Sequence, residues 1–153
     1  MPKQKGTKEI STNRKAFHDY FVLEQYEAGI ELTGTEVKSI RAGEVNLKDS
    51  YCIIKDGELI LRGMHVSPYK QGSFSNRDPM RPRRLLMHKK EIRKLDARLS
   101  QEGLALIPIS LYFKEGLVKV GLGLCKGKKL YDKRESIAKR DADREIERKF
   151  KER

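Results

Sequence analysis

The stretch from Val118 to Cys125 constrains the fold more than any other part of the chain. Val118, Val120, Leu122 and Leu124 alternate with Lys119, Gly121, Gly123 and Cys125. A period of two predicts a strand with one core-facing side. The other side carries no bulk at Gly121 and Gly123, which predicts close approach of another backbone there. Lys114-Glu115-Gly116 turns into this strand from an earlier one, Leu104 to Phe113, where Pro108 implies an edge or a bulge.

Further strands follow from the same reasoning. Asp19 to Gln25 has strand composition, and Asp56-Gly57 joins Ser50–Lys55 to Glu58–Arg62 as a two-residue hairpin. Leu85 to Met87 resumes a strand after a Pro- and Gly-rich loop spanning Gly63 to Arg83. Two helices interrupt the pattern. Thr33 and Glu36 form a capping box ahead of Val37 and Ile40, with Gly43 closing the helix. Ile92, Leu95 and Leu99 form the inner stripe of a longer helix from about His88 to Gln101, which Gly103 ends.

Several short strands need closure to hide their edges. The expected fold is therefore mainly β: an antiparallel barrel of the OB type with five or six strands, peripheral α-helices and a C-terminal tail. The barrel is expected over 13–130. Residues 1–12 are polar and basic and are expected to be disordered. Residues 131–153 form a charged tail. Ala138, Ala142, Ile146 and Phe150 recur every four residues there, a stripe too thin to hold a helix without a partner.

Charge narrows the function. The formal net charge is 34 − 22 = +12, and it is unevenly spread. Residues 18–76 carry six basic and nine acidic side chains, whereas 1–17 carry five and one, 77–99 nine and three, and 126–153 twelve and seven. Three cationic segments brought together by folding make a field that attracts phosphate. No basic stretch has a strong apolar face, so a membrane surface is not expected. No apolar segment follows Met1, and the run from Gly103 to Phe113 is too short to cross a bilayer. Cys52 and Cys125 lie in no Cys-x-x-Cys motif and fit buried thiols in a reducing cytosol.

Catalytic patterns fail. Gly127-Lys128 lacks the first glycine and the final Ser/Thr of a P-loop, and Lys126 stands where Gly121-Leu122-Gly123 would need a third glycine. His18, His65 and His88 have no metal-ligand spacing. No cofactor, metal or enzyme activity is expected. RNA is the favoured partner. Lys126-Gly127-Lys128-Lys129 is a cationic turn suited to phosphate, and Arg83-Arg84 fits either a solvated edge or a phosphate contact. Among the tyrosines that could stack on bases, Tyr20, Tyr69, Tyr112 and Tyr131, the first and third fit core or barrel surface better and Tyr131 is the best candidate.

Six motifs occur in a familiar order. They are Asn13-Arg14-Lys15-Ala16, Tyr26-Glu27-Ala28-Gly29, the run Gly34 to Gly43 (GTEVKSIRAG), Asp78-Pro79, Arg83-Arg84-Leu85-Leu86 and Lys126-Gly127-Lys128-Lys129. In these the chain resembles the small protein B, or SsrA-binding, family of bacterial trans-translation, from Asn13 into the tail. The resemblance implies binding to the tRNA-like domain of transfer-messenger RNA. It also implies delivery of that RNA, with elongation factor Tu, to a ribosome stalled without a stop codon. Asn13, Glu27 and Leu86 match family residues implicated in the RNA interface, and Lys126 to Lys129 match its basic turn. Arg14, Lys15, Tyr20, Arg83 and Arg84 complete the expected RNA-binding set. Tyr131, Asp132, Lys133, Arg134, Ile137 and Ile146 match the tail, which in the family enters the empty messenger channel and becomes helical. Some relatives carry histidine where Tyr131 stands; tyrosine can take its place in stacking but not in a charged role. Glu27 cannot attract phosphate and is expected to accept from a base edge, a ribose hydroxyl or a neighbouring arginine. The chain is expected to be cytoplasmic and monomeric.

Overall fold

The computed structural model describes residues 7–69 and 78–128. In chain order the elements are β1 (Thr7–Thr12), α1 (Arg14–Asp19), β2 (Tyr20–Ile30), α2 (Gly34–Arg41), β3 (Val45–Asn46), β4 (Tyr51–Lys55) and β5 (Glu58–Arg62). Then come β6 (His65–Val66), β7 (Arg83–Leu86), α3 (Lys89–Glu102), β8 (Ala105–Lys114) and β9 (Leu117–Gly127). The mainly β expectation holds. Seven strands follow the order β1-β8-β4-β5-β7-β2-β9, and β9 pairs back onto β8, so the sheet runs round as a ring. Every pairing is antiparallel, and β3 and β6 form a separate two-stranded sheet.

Local chemistry explains why these segments form. At the β4–β5 hairpin, Asp56 and Gly57 both take positive φ, 53° and 77°, as a tight turn matched to strand twist requires. The Thr33–Glu36 capping box is present in both directions. Gly103, at φ 63°, ends α3 in the left-handed conformation. Leu59, Leu61, Leu85, Leu106, Leu111, Leu122 and Leu124 meet inside the ring and are almost wholly buried. β7 covers only Gly29 and Ile30 of β2. Beside the uncovered remainder α3 sends Ile92 and Leu95 into the core, and Arg98 pairs with Glu24 on β2.

Three expectations change. Residues 7–12, expected to be disordered, include a strand: β1 runs along β8 from Thr7↔Lys114 to Thr12↔Ser110, with a bulge between Glu9 and Ser11. The segment is too polar to form structure alone. It becomes ordered because β8 offers an unpaired edge and Ile10 packs on the core. Second, β2 continues past Gln25 to Ile30, and Asp19 belongs to α1 rather than to the strand. Third, side chains and not a backbone occupy the space beside the β9 glycines. A Cβ on Gly123 would sit 3.0 Å from Ile109 Cγ2, and one on Gly121 would crowd Ser110 Oγ. The outer side of β9 is therefore packed too, and Cys125 joins Ala16, Ile107 and Ile109 in a second apolar cluster under α1. Pro108 does mark a bulge, since the β8–β9 register shifts between Pro108 and Ser110.

Candidate nucleic-acid interface

The β2–β9 ribbon carries two groups of candidate residues. Glu27 pairs in register with Gly121, and Phe21 with Lys126. Six strand residues separate Glu27 from Phe21, or about 20 Å at 3.4 Å per residue. Both groups thus lie along one pair of strands.

At the first, Tyr112 on β8 reaches over Gly121 on β9 and donates its phenol proton to Glu27 Oε2 on β2, at 2.5 Å. Lys114 Nζ lies 3.4 Å from both carboxylate oxygens. The Tyr112 hydrogen bond, outweighing partial burial and helped by Lys114 and Lys119, holds the Glu27 carboxyl below its usual range. Burial first, then the carboxylate, pushes the Tyr112 phenol up, so it remains a proton donor at neutral pH. Glu27 thus accepts from a tyrosine and a lysine, not from the arginine considered above. Leu86 joins it across a shallow depression that also includes Gly29, Met87, His88 and Lys119. Leu86 is 46% exposed, held outward because strand alternation sends Leu85 inward.

The second group gathers α1 and the end of β9. Arg14 and Lys15 are exposed on α1, and Lys15 Nζ is paired with Asp49. Tyr20 pairs in register with Gly127. It leans on the cluster of Ala16, Ile107, Ile109 and Cys125, so part of its ring is already covered. Lys128 donates to the Phe17 carbonyl at 3.4 Å and sits 4.9 Å above the Phe21 ring. Phe17 and Phe21 are 44% and 40% exposed. They make an aromatic patch beside lysines, suited to stacking on bases. Sequence reasoning missed both. Their spacing of four around Tyr20 was the available signal, but each resembled an ordinary apolar core residue.

Two expected contact residues face inward. Asn13 is 4% exposed. Its Nδ2 donates to Leu47 O at 3.2 Å and Pro108 O at 2.9 Å, and its Oδ1 accepts from the Ala16 amide at 3.2 Å. It caps α1 and ties that helix to two distant segments. Arg83 is 1% exposed. Its guanidinium donates to Glu36 Oε2 at 2.6 Å and to the carbonyls of Met64, Pro79 and Arg81. Burial pushes its pKa down against the support of Glu36. In this structure both side chains are buried and bonded within the protein, so they shape the surface rather than lie on it. Arg84 behaves as expected for a surface cation, half-exposed and loosely placed 3.6 Å from Glu31 and 3.9 Å from Glu58.

Lys129 and the tail residues Tyr131, Asp132, Lys133, Arg134, Ile137 and Ile146 lie outside the described residues. Among the described residues no three His, Cys, Asp or Glu side chains gather as a metal site. There too, no helix is long and apolar enough to cross a membrane. Cys52 and Cys125 are both buried and unpaired, and burial pushes the Cys125 thiol up to about 11.

The family model described as SmpB protein matches residues 10–152. The SsrA-binding protein of Caldanaerobacter subterraneus subsp. tengcongensis is 60% identical over 153 residues, covering 99% of this chain and 97% of its own. That of Acetivibrio thermocellus is 60% identical over 143 residues, covering 94% and 93%. A solved structure described as "tmRNA-SmpB: a journey to the center of the bacterial ribosome" superposes with a TM-score of 0.66. It is 52% identical and covers 78% of this chain and 84% of its own.

Proposed function

The chain belongs to the SmpB family, and from that premise we propose that it is the RNA-binding adaptor of trans-translation. It binds the tRNA-like domain of transfer-messenger RNA and brings it to ribosomes stalled without a stop codon. Elongation factor Tu is engaged through the charged RNA. The near full-length identity of 60% to SsrA-binding proteins carries this reading. The protein performs no catalysis; its work is positioning. It acts in the cytoplasm as a monomer.

Two surfaces divide the task. The body, from β1 to residue 130, grips the RNA along the β2–β9 ribbon. Glu27 and Leu86 contact it at one end, and Arg14, Tyr20, Lys126 and Lys128 at the other. Lys129 extends that basic turn. Exposed cations give salt-sensitive attraction to phosphate, and aromatic faces take up splayed bases. The tail, 131–153, tests whether the messenger channel is empty. Messenger RNA and the tail compete for one anionic groove, so only a vacant channel admits Tyr131 to Arg134 and the residues beyond, Ile137 and Ile146 among them. Binding supplies the free energy that orders such a segment.

Competition gel shift at matched salt tests the first surface, using transfer-messenger RNA, tRNA and unstructured RNA. Preference for transfer-messenger RNA is expected, and equal affinity for all three would refute the reading. Truncation at Ser136 tests the second. It should leave that affinity nearly intact and abolish peptide tagging on stalled ribosomes; parallel loss of both would rule out two separate surfaces.

A further inference from the structure

We infer that Tyr112 is a positioning residue for RNA recognition, acting through Glu27 across the glycine floor at Gly121. The inference rests on the reading of Glu27 as an RNA contact.

A carboxylate on an RNA-facing surface raises two difficulties. It repels phosphate, and a glutamate on an exposed strand samples many rotamers, most of which would aim it wrongly. The structure answers both with residues from a single strand, β8, on the far side of β9. β8 lies two strands from β2, about 10 Å away at the usual spacing. A tyrosine spans that gap only by lying flat over the strand between. Gly121 is the residue it crosses: a Cβ there would meet Tyr112 Cε1 at 3.5 Å and crowd Ser110 Oγ. The phenol then takes one lone pair of Glu27 Oε2. Lys114, 3.4 Å from both oxygens, offsets the negative charge.

An ionised carboxylate has about four acceptor positions. Tyr112 and Lys114 use those on the protein side, and the Glu27 side chain stays 39% exposed. The remaining lone pairs are therefore held toward solvent, beside Leu86 and Lys119. That arrangement suits a fixed donor on folded RNA, such as a base N–H or a ribose hydroxyl, and discriminates against phosphate. Phenylalanine at 112 would keep the ring over Gly121 but release the carboxylate. Glu27 would then have to be ordered during binding, a penalty of about 3- to 10-fold in affinity.

The test uses the full-length protein with Tyr112→Phe, Glu27→Gln and the double variant. Three readouts are taken at matched salt: affinity for the tRNA-like domain of transfer-messenger RNA, affinity for unstructured RNA of equal length, and the urea midpoint. Tyr112→Phe should weaken binding to the folded RNA by about 3- to 10-fold and leave binding to the unstructured RNA unchanged. The double variant should bind like Glu27→Gln alone, because Tyr112 has nothing left to position. Additive losses would overturn the role of Tyr112 while keeping Glu27 at the interface. A parallel loss toward both RNAs would overturn it as well, since that is what a merely structural defect produces. No loss in Glu27→Gln would instead overturn the placement of Glu27 at the interface, and the inference with it.

Discussion

Asn13 offers a clean test of whether a family interface residue acts by touching RNA or by building the surface that does. Asn13→Ala removes the cap of α1, which costs about 1 kcal/mol. It also strips a donor from two buried carbonyls; Leu47 O keeps the Ser50 amide and hydroxyl, so Pro108 O is the acceptor left short. A buried acceptor left without its partner costs about 1–3 kcal/mol. These effects overlap, so the combined loss is about 3 kcal/mol. With a urea m-value of about 1.5 kcal/mol/M for a domain this size, the midpoint should fall by about 2 M. Far-UV circular dichroism suits the measurement, since the chain contains no tryptophan. Asn13→Asp makes the argument sharper. It keeps the capping oxygen yet turns a second acceptor toward two carbonyls, so it should be at least as damaging as alanine. Any loss of RNA affinity should track the unfolded fraction and the displacement of α1. A normal urea midpoint together with a tenfold loss of RNA binding would refute this reasoning and return Asn13 to direct contact.

Two neighbouring arginines should behave oppositely. Arg83→Ala leaves Glu36 with one fewer partner in a buried site and should destabilise by about 3–5 kcal/mol, measurable as a lower urea midpoint. Arg84→Ala should change stability by less than about 0.5 kcal/mol. In the salt dependence of RNA affinity it should reduce the slope by about one. Glu36 also predicts an acid limit. Burial pushes its carboxyl up, but Arg81, the Thr33 amide and Arg83 together outweigh that and leave it below its ordinary value. A depressed folded-state pKa adds stability above the unfolded value, near 4.5, and loses it as pH falls through the folded value. The urea midpoint of the parent should therefore drop below that pH, and Glu36→Gln should flatten that part of the profile while lowering stability at neutral pH.

What could be read from sequence was local. The Asp56-Gly57 turn, the Thr33–Glu36 box and the alternation of β9 each depend on residues within a few positions of one another. The features that went unread join distant segments. Asn13 bonds to Leu47 and Pro108, 34 and 95 positions away. Glu27 and Tyr112 are 85 apart, and Arg83 and Glu36 are 47 apart. A motif marks such residues as important without stating which way they face. The arginine pair shows the ambiguity best. Arg83-Arg84 as a pair fits either a solvated edge or a phosphate contact, yet the period of two in β7 sends one guanidinium inside and the other out.

That division changes how the charge of the chain relates to RNA. The segment 77–99 carries nine basic residues, but they do not act alike. Arg83 is buried, Arg81 is held by Glu36, and Arg98 lies between Glu24 and Glu102. On α1, Lys15 is occupied by Asp49. A cation already paired with a carboxylate releases few counterions when phosphate approaches, because the pair is nearly neutral from a distance. The salt slope of binding should accordingly count exposed cations that are at most loosely paired, such as Arg14 and Arg84, and not the formal charge. The paired and buried cations serve a different purpose. They fix α1, α2 and α3 against the ring, and so preset the spacing between the Glu27–Leu86 depression and the Phe21–Lys128 patch. On the proposed interface, specificity for a folded RNA should depend on that spacing, because phosphate attraction alone does not distinguish one RNA from another.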